Sequence, residues 1–263
     1  MQKTILVTGA SGQLGQTFQG LKNKISKYNW VFCTREELDI ANASEIKTIF
    51  SKYKPDYCIN AAAYTNVRTA EQEKELAFKI NAEGVGYLVN ECNKQKVILF
   101  HISTDYVFDG QKKAPYLEHD QPNPLNIYGQ SKRAGEQVVL ERSKHAYIIR
   151  TSWLYAKEHG QNFYRSILKK ALTGESLQVV DDQIGTPTST NELARFLLQL
   201  IQKLPEKGIY HCGGEKTQSW YEFAKDILKD HQLSVPIQPI KTPKDSLSRP
   251  SYSALATEKT LTP

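Results

Sequence analysis

The sequence opens with a short apolar stretch, KTILVT at residues 3–8, that runs directly into a glycine turn, GASGQLG at residues 9–15. Apolar residues then recur at helical spacing. A strand, a glycine turn and a helix in this order are the context in which dinucleotide sites occur, although a plain glycine turn is the alternative. Gly9 permits the tight turn, Gly12 lets the backbone approach a pyrophosphate, and Gly15 lets the helix pack on the strand. The amide groups at the helix start then point towards the phosphates.

Further apolar stretches follow at intervals that leave room for a helix between them. They lie at residues 30–34, 57–64, 97–102 and 145–150, and a long helical pattern covers residues 71–94. Five strand–helix units in succession predict an α/β fold with a Rossmann-type doubly wound parallel sheet. The later elements are more loosely ordered, and we expect them to form a smaller C-terminal substrate-binding lobe.

This organisation divides the chain into two unequal parts. Residues 1–150 are predicted to form an NAD(P)-binding Rossmann domain, and residues 151–263 mainly a substrate-binding lobe. Some elements of the second part, at about residues 181–212, are expected to return to the Rossmann sheet.

The bulk composition argues against several classes of function. The 263 residues carry a mild net charge of +6 with Lys and Arg scattered along the chain, so we expect no nucleic-acid binding. No apolar run is long enough to span a bilayer and no signal peptide precedes the first strand, so a cytoplasmic protein without membrane contact is predicted. The cysteines lack C-x-x-C spacing, and we expect reduced core thiols rather than metal ligands at Cys33, Cys58, Cys92 and Cys212.

Two predicted strands end in residues that suit a bound ligand. The strand at residues 57–64 ends in NAAAY, and small side chains leave room at the sheet edge, where open α/β sheets bind ligands. The strand at residues 97–102 runs into STDYVFDG at residues 103–110. These hydroxyl groups are placed to hold a substrate oxygen, and an Asx or ST turn is the alternative interpretation.

The end of the predicted second strand bears on the choice of cofactor. A protein that binds NAD usually places Asp or Glu there to hold the ribose hydroxyls. Here the strand ends at Thr34 and Arg35, and a cation suits the 2′-phosphate of NADP. We therefore predict NADPH, with NADH as the alternative, while a solvated loop position is the competing interpretation of Arg35. Asp39 follows and is expected to lie beside the adenine.

The segment YGQSK at residues 128–132 carries the candidate for acid–base chemistry. If it opens a helix, Tyr128 and Lys132 lie four residues apart on one face. A free Tyr titrates near pH ~10, and a nearby positive charge lowers that pKa. Such a Tyr gives a proton to a carbonyl oxygen while a hydride arrives at the carbon. The pair is also common on solvated helix faces, so its meaning depends on the rest of the chain.

Together these residues resemble the extended short-chain dehydrogenase/reductase superfamily and, within it, the dTDP-4-dehydrorhamnose reductases. The matching segments are spread over most of the chain and comprise TGASGQLGQ (8–16), NAAAYTNV (60–67), STDYVFDG (103–110), PLNIYGQSK (124–132), RTSWLY (150–155) and DQIGTPT (182–188). The resemblance implies NAD(P)H-dependent reduction of the 4-keto group of a dTDP-linked deoxy sugar. The product would be dTDP-L-rhamnose, a precursor for polysaccharide biosynthesis.

The resemblance also implies roles for individual residues. Tyr128 would donate the proton, Lys132 would lower the pKa of Tyr128 and hold the nicotinamide ribose, and Thr104 would hydrogen-bond the keto oxygen. Substrate contacts are implied for Thr104, Asp105, Tyr106, Tyr128 and Trp153. Cofactor contacts are predicted for Gly9, Ser11, Gly12, Gln13, Leu14, Gly15, Thr34, Arg35, Asp39, Ile40, Ala61, Ala62, Ala63, Tyr64, Thr65, Tyr128 and Lys132. A core position for Trp153 and a turn-capping role for Asp105 are the alternatives.

The chain departs from the family pattern at three places. Arg68 stands where members usually carry an acid, which leaves the exact sugar nucleotide open. Gln16 stands where some members place a magnesium-binding Glu, so we predict no metal. Members also continue past the segment that corresponds to Arg249 and Pro250 with a final helix.

Two other functions are compatible with the same residues. The β subunit of methionine adenosyltransferase has a similar fold and a Tyr-x-x-x-Lys segment, yet it acts as a non-catalytic regulatory subunit. A nucleotide-sugar epimerase or dehydratase needs further acid–base groups beside the Thr, and Asp105 is of that type. A homodimer is one expected assembly, but the sequence does not fix the oligomeric state.

Overall fold

The computed structural model of the protein describes residues 2–244 and 246–257. Its strands are β1 (Lys3–Thr8), β2 (Tyr28–Cys33), β3 (Tyr57–Asn60), β4 (Ile98–Thr104), β5 (Ala146–Thr151), β6 (Leu154–Tyr155), β7 (Leu177–Val180), β8 (Ile184–Gly185), β9 (Thr188–Ser189), β10 (Gly208–Cys212), β11 (Gln218–Ser219) and β12 (Ile237–Ile240). Its α-helices are α1 (Gln13–Leu21), α2 (Ala43–Tyr53), α3 (Lys74–Phe78), α4 (Gly84–Gln95), α5 (Ile127–Arg142), α6 (Phe163–Leu172), α7 (Thr190–Lys203) and α8 (Trp220–Asp230). None of these helices combines the length and the apolar character that crossing a bilayer requires.

Six strands form one parallel sheet in the order β10-β5-β4-β3-β1-β2. Strand β1 lies between β2 and β3, so that Ile5 faces Trp30 on one side and Tyr57 on the other. The chain therefore moves from β1 in one direction to β2 and returns across β1 to β3, and the winding reverses there. An open α/β sheet binds its ligands at such a reversal, outside the carboxyl ends of the strands. The predicted doubly wound parallel sheet is confirmed.

Apolar side chains cover both faces of this sheet. On one face, helices α1 and α7 bury Phe18 and Leu197 against the strands. On the other face, α2, α4 and α5 bury Phe50, Leu88 and Val139. Because both faces are covered, the strands are apolar throughout rather than alternating, which is why they stand out in the sequence.

The remaining elements form a smaller lobe with its own core. Helices α6 and α8 pack together with β7, which pairs in parallel with β12. Strand β10 does not belong to this core, because it is hydrogen-bonded to β5 in the main sheet. The last described segment connects the two parts, since Leu255 forms a bridge with Tyr116 and Tyr252 forms one with Ile184. The use of this lobe for substrate binding stays a prediction.

The long helix predicted at residues 71–94 is interrupted. A 3-10 turn at Thr69–Glu71, helix α3, a π-helical turn at Lys79–Glu83 and helix α4 take its place. The π turn carries Asn81, whose carboxamide accepts a hydrogen bond from the Tyr64 amide at 2.9 Å and donates one to the Tyr64 carbonyl at 3.0 Å. A side chain that bonds the backbone of another segment in this way accounts for the widened turn.

Candidate active site

A cavity of about 900 Å³ opens at the carboxyl edge of the main sheet. Its floor is made by residues that follow the ends of β1, β3, β4 and β5, and its far side is made by the small lobe. The volume is that of a site for one or two organic ligands. The cavity lies where the winding of the sheet reverses, as the fold predicts.

Most of the predicted site residues line this one cavity. They are Gly9, Ser11, Gly12, Gln13, Leu14, Arg35, Asp39, Ile40, Ala61, Ala62, Ala63, Thr65, Thr104, Asp105, Tyr106, Tyr128, Lys132 and Trp153. Segments that are far apart in the chain therefore meet in one place.

Three predicted cofactor residues are not part of the cavity lining. A Cβ on Gly15 would lie 2.5 Å from the Cα of Ala10, so Gly15 allows close packing of helix on strand. The Tyr64 phenol turns to the surface and donates a hydrogen bond to Glu73 at 2.7 Å. Thr34 begins a tight turn in which its amide donates to the Glu37 carboxylate at 2.8 Å.

The glycine turn has the shape that a pyrophosphate requires. Gly9 adopts φ +65°, and a Cβ there would lie 2.7 Å from the amide nitrogen of Ala62. A Cβ on Gly12 would contact only the Gly9 carbonyl at 3.2 Å and would otherwise fill the cavity. Gly12 is also the N-cap of α1 and supplies no capping side chain, so the first amides of the helix are available to an anion. These features fit the diphosphate of a dinucleotide.

Arg35 gives the end of the cavity beside β2 a positive charge. It is exposed and lines the cavity just beyond β2. The Asp39 carboxylate is turned back and accepts a hydrogen bond from the Ala41 amide at 2.9 Å. A guanidinium at this position fits the 2′-phosphate of NADP.

Helix α5 brings the catalytic candidates to the cavity. It begins at Ile127 because the Asn126 side chain accepts a hydrogen bond from the Gly129 amide at 2.9 Å and caps the helix. Tyr128 is hydrogen-bonded to Thr104, which ends β4. Lys132 follows one turn later, and its ammonium donates to the Ile102 carbonyl at 2.7 Å. Thr104, Tyr128 and Lys132 therefore line the same cavity.

The expectation that Lys132 lowers the pKa of Tyr128 is wrong for this structure. Burial raises the pKa of Tyr128 well above its ordinary value, and the bond to Thr104 opposes this only in part. The ammonium of Lys132 is directed at a backbone carbonyl instead. Burial also lowers the pKa of Lys132 to about 8, against the opposing effect of Glu136. Tyr128 is consequently protonated throughout the neutral range, as a proton donor must be.

Asp105 follows Thr104 in the chain and is buried at the wall of the cavity. Its carboxyl accepts hydrogen bonds from Thr104 at 3.1 Å and from Ser152 at 3.2 Å, and it also bonds Ser253. Burial raises the pKa of Asp105 to about 6, although these hydrogen bonds oppose the shift.

A buried ion pair joins α5, the helix that carries Tyr128 and Lys132, to strand β5. Glu136 on α5 and Arg150 on β5 form two hydrogen bonds of 2.8 Å, and both residues are fully buried. Ser103 donates a further bond to Glu136 at 2.7 Å. Burial acts to raise the pKa of Glu136, but the bonds from Arg150 and Ser103 outweigh it and hold that pKa below its usual value. The pair fixes α5, and with it Tyr128, against the sheet.

Several cavity residues were not predicted from the sequence. Arg249 lines the cavity and hydrogen-bonds Tyr106, and Trp220 stacks on Trp153. Asn162 lines it as well and donates a hydrogen bond to Gln13 at 2.6 Å. No local pattern marks these positions, because only the tertiary fold brings the second half of the chain to the sheet edge.

Two departures from the family pattern lie away from the cavity lining. Arg68 is exposed and is not part of the lining, whereas its neighbour Val67 is. Gln16 donates a hydrogen bond to the Ser11 carbonyl at 2.6 Å, which fastens the glycine turn to α1.

Three features define the class of protein. The parallel sheet reverses its winding at β1, a glycine turn without a capping side chain lines the cavity, and Tyr128, Lys132 and Thr104 line it as well. These features are those of the extended short-chain dehydrogenase/reductase superfamily.

Comparison with known proteins narrows this class. The family described as the RmlD substrate binding domain matches residues 2–262. The dTDP-4-dehydrorhamnose reductase of Aggregatibacter actinomycetemcomitans is 41% identical over 231 residues, which cover 86% of this chain and 78% of the relative. The spore coat polysaccharide biosynthesis protein SpsK of Bacillus subtilis (strain 168) is 40% identical over 255 residues, which cover 96% and 88%.

A solved structure agrees with these relatives. The crystal structure of dTDP-4-dehydrorhamnose reductase from Bacillus anthracis str. Ames in complex with NADP superposes with a TM-score of 0.94. The two chains are 37% identical, and the match covers 98% of this chain and 92% of that one. The chain belongs to the RmlD family, that of the dTDP-4-dehydrorhamnose reductases.

Proposed function

We propose that the chain uses NADPH to reduce the 4-keto group of dTDP-4-dehydrorhamnose, forming dTDP-L-rhamnose. The observation that carries this proposal is the half-buried Tyr128 side chain, hydrogen-bonded to Thr104 and one helical turn from Lys132, in the same cavity as the glycine turn. This arrangement offers a proton donor and an oxygen-binding hydroxyl beside a cofactor cradle. It matches the reduction of a carbonyl group.

The roles of the residues follow from their positions. When bound, NADPH supplies a hydride to the carbonyl carbon. Tyr128 donates its proton to the carbonyl oxygen, and Thr104 orients that oxygen by a hydrogen bond. Lys132 holds a nicotinamide ribose hydroxyl with its ammonium group. Thr104 and Lys132 are buried and Tyr128 is half-buried, which limits the access of water to the reacting atoms.

The choice of NADPH is supported by charge. Arg35 stands where an NAD-binding protein places a carboxylate, and the relative from B. anthracis binds NADP. The bare face of Gly12 and the free amides of α1 would hold the pyrophosphate.

The small-lobe side of the cavity supports a sugar nucleotide as the substrate. Trp153 and Trp220 offer flat apolar surfaces of the kind on which sugar rings pack, and Arg249 brings a positive charge near Tyr106. A guanidinium is suited to the diphosphate that links a sugar to its nucleoside.

The test is NADPH oxidation, followed by its absorbance, with dTDP-4-dehydrorhamnose as substrate. We expect Tyr128→Phe to lower kcat about a hundredfold or more, because the proton donor is lost. Tyr87→Phe is the matched control, since Tyr87 on α4 bonds Glu83 and is not part of the cavity lining. NADPH binding without oxidation by the wild-type protein would contradict the proposal and favour a non-catalytic regulatory subunit.

We also propose that the enzyme works in the cytoplasm. Support comes from Cys33, Cys58, Cys92 and Cys212, which are all buried and free thiols. The homodimer stays a prediction from the family resemblance.

A further inference from the structure

The segment DQIGTPT at residues 182–188 has no part in hydride or proton transfer, yet it lies against the active site. Its Gly185 contacts the indole of Trp153, the predicted sugar contact. A Cβ on Gly185 would lie 2.5 Å from Cε2 and 2.7 Å from Nε1 of that indole. The ring occupies the space that any larger residue at position 185 would need.

The backbone of Trp153 is strained. Its φ of +49° lies in the left-handed region, which a bulky side chain rarely adopts. Ser152 on one side is fully buried and donates a hydrogen bond to Asp105 at 3.2 Å. Leu154 on the other side pairs with Thr188 in the two-stranded sheet of β6 and β9. The strain persists because the neighbouring residues are fixed, and such strain concentrates at functional sites.

Trp220 covers one face of the same indole. The ring centroids of Trp153 and Trp220 are 3.4 Å apart with an interplanar angle of 3°. Phe163 supports Trp220 from the side, with a centroid distance of 4.5 Å. Both tryptophans line the cavity, so the stack forms part of its wall.

Gly185 and Trp220, the two residues that contact the Trp153 indole, belong to segments that pair with each other. Strand β8 pairs with β11, which places Gly185 opposite Gln218 and Ile184 opposite Ser219. Ser219 is the N-cap of α8, and Trp220 is the first residue of that helix. A single antiparallel pair therefore sets the position of Gly185 on one part of the indole and of Trp220 on its face. We call Trp153, Gly185 and Trp220 the tryptophan clamp.

We infer that Gly185 and Trp220 are positioning residues that hold the Trp153 indole in the one orientation in which it packs against the sugar of the substrate. The inference rests on the proposed function, because it names the residues through which the small lobe aligns the keto sugar with Tyr128. Alignment matters since a displacement of about 1 Å is enough to reduce the rate of an oriented reaction. Neither residue needs to touch the reacting atoms.

Steady-state kinetics test the inference. We expect Trp220→Ala and Gly185→Ala to raise the KM for dTDP-4-dehydrorhamnose about tenfold, while the dissociation constant for NADPH changes by less than about twofold. Trp220→Phe keeps an aromatic face against Trp153 and is expected to restore most of the loss. Trp30→Phe is the matched control, because Trp30 packs on Phe32 in the main sheet, outside the clamp.

Circular dichroism reports on the indole stack directly. Two indoles in van der Waals contact couple their electronic transitions, and a twist between their transition dipoles about the stacking axis gives a paired band of opposite signs in the far ultraviolet. The wild-type protein and Trp30→Phe should show this band, and Trp220→Phe and Trp220→Ala should lose it. Trp220→Phe should lose the band but keep a KM near that of the wild type. The variant therefore shows whether substrate affinity needs the second indole or only an aromatic ring at position 220.

The outcomes distinguish the two proposals. A wild-type enzyme that turns over the sugar, with Trp220→Ala and Gly185→Ala folded and unchanged in KM, overturns the positioning role. A wild-type protein that shows the paired band but does not oxidise NADPH overturns the proposed function instead. A Trp220→Ala protein that fails to fold leaves the decision to Gly185→Ala and Trp220→Phe.

Discussion

The carboxyl group of Asp105 lies in an unusual place for an acid. It is buried at the wall of the cavity and accepts hydrogen bonds from Thr104, Ser152 and Ser253, and no described residue forms a salt bridge with it. Burial therefore raises its pKa to about 6. In the unfolded chain the same group titrates near pH ~4, so the folded state holds the proton more tightly. Its contribution to stability is complete below pH ~4 and is lost as the pH rises through about 6.

Asp105→Asn removes this dependence on pH. We expect the variant to gain free energy of unfolding relative to the wild type, and the gain should be about 1 kcal/mol larger at a pH near 8 than near 5. The physical reason is that the amide never has to be buried as an anion. Urea unfolding at the two pH values measures the difference. A gain that is equal at both would show that Asp105 is not held in its protonated form.

The sequence named candidate reacting groups that the fold brings to one cavity, whereas their electrostatics could not be predicted. Tyr128 and Lys132 were found from their spacing, and Thr104 from its place after a buried strand. The direction of the Tyr128 pKa shift was predicted wrongly, because spacing along a helix reveals the neighbour but not the depth of burial. Arg249 was missed for the related reason that its partner, Tyr106, lies more than a hundred residues away in the sequence.

The start of α5 sets the direction of Tyr128, the proposed proton donor. Tyr128 is the second residue of the helix, so its direction depends on how the first turn is held. Asn126 fixes that turn, since its carboxamide accepts from the Gly129 amide at 2.9 Å and donates to the Ser248 carbonyl at 2.9 Å. The cap thus ties the helix start to the segment that carries Arg249.

We expect Asn126→Ala to lower the free energy of unfolding by about 1–2 kcal/mol and to reduce kcat, because both the cap and the direction of Tyr128 are lost. Asn42→Ala is the control. Asn42 caps α2 by accepting from the Ser44 amide at 3.1 Å, so it should cost similar stability and leave kcat unchanged. Thermal unfolding and NADPH oxidation measure the two effects. Equal kinetics for the two variants would contradict a special role for the α5 cap.

The strands and helices themselves were easier to predict from the sequence than the points at which a helix is broken. The strands of the main sheet were recognised because they are buried on both faces and read as continuous apolar runs. The break between α3 and α4 was not recognised, since it depends on Asn81 reaching the backbone of Tyr64 in another segment. A Cβ on Gly84 would lie 2.8 Å from the Ile40 carbonyl, which is a further tertiary contact without a local signal.

In the whole molecule, the Gln13 side chain connects the glycine turn to the small lobe. Gln13 begins α1, and its carboxamide oxygen accepts from the Ala156 amide at 2.9 Å and from Asn162 at 2.6 Å. The Gln13 carbonyl is bonded to the His159 ring at 2.8 Å. Residues 156–162 of the small lobe are therefore hydrogen-bonded to the start of α1.

Gln13→Ala should loosen this connection. Loss of the two part-buried hydrogen bonds that Gln13 accepts is expected to raise the rate of hydrogen exchange in residues 156–162 about tenfold, with little change elsewhere. Gln19→Ala is the matched control, because Gln19 lies on the same helix but donates to the Ala10 carbonyl at 2.8 Å within the Rossmann part. Hydrogen–deuterium exchange with mass spectrometry resolves the segment. Unchanged exchange there would show that other contacts hold it.

The arrangement of the whole molecule was only partly predictable. The main sheet followed from its repeated units, but the bridge between Tyr116 and Leu255 and the stack of Trp153 on Trp220 did not. These contacts join residues of distant segments, and no periodic pattern encodes which surfaces meet.

The position of β10 beside β5 has a consequence for the newly made chain. Strand β5 is complete at Thr151, but its outer edge has no neighbour until Gly208–Cys212 have been synthesised. At about 5–20 residues per second, the ribosome needs several seconds to add the intervening stretch. During that interval an apolar strand edge of the emerging protein is open to pairing with another chain. Correct assembly of the sheet therefore competes with aggregation until the second half of the chain has left the ribosome.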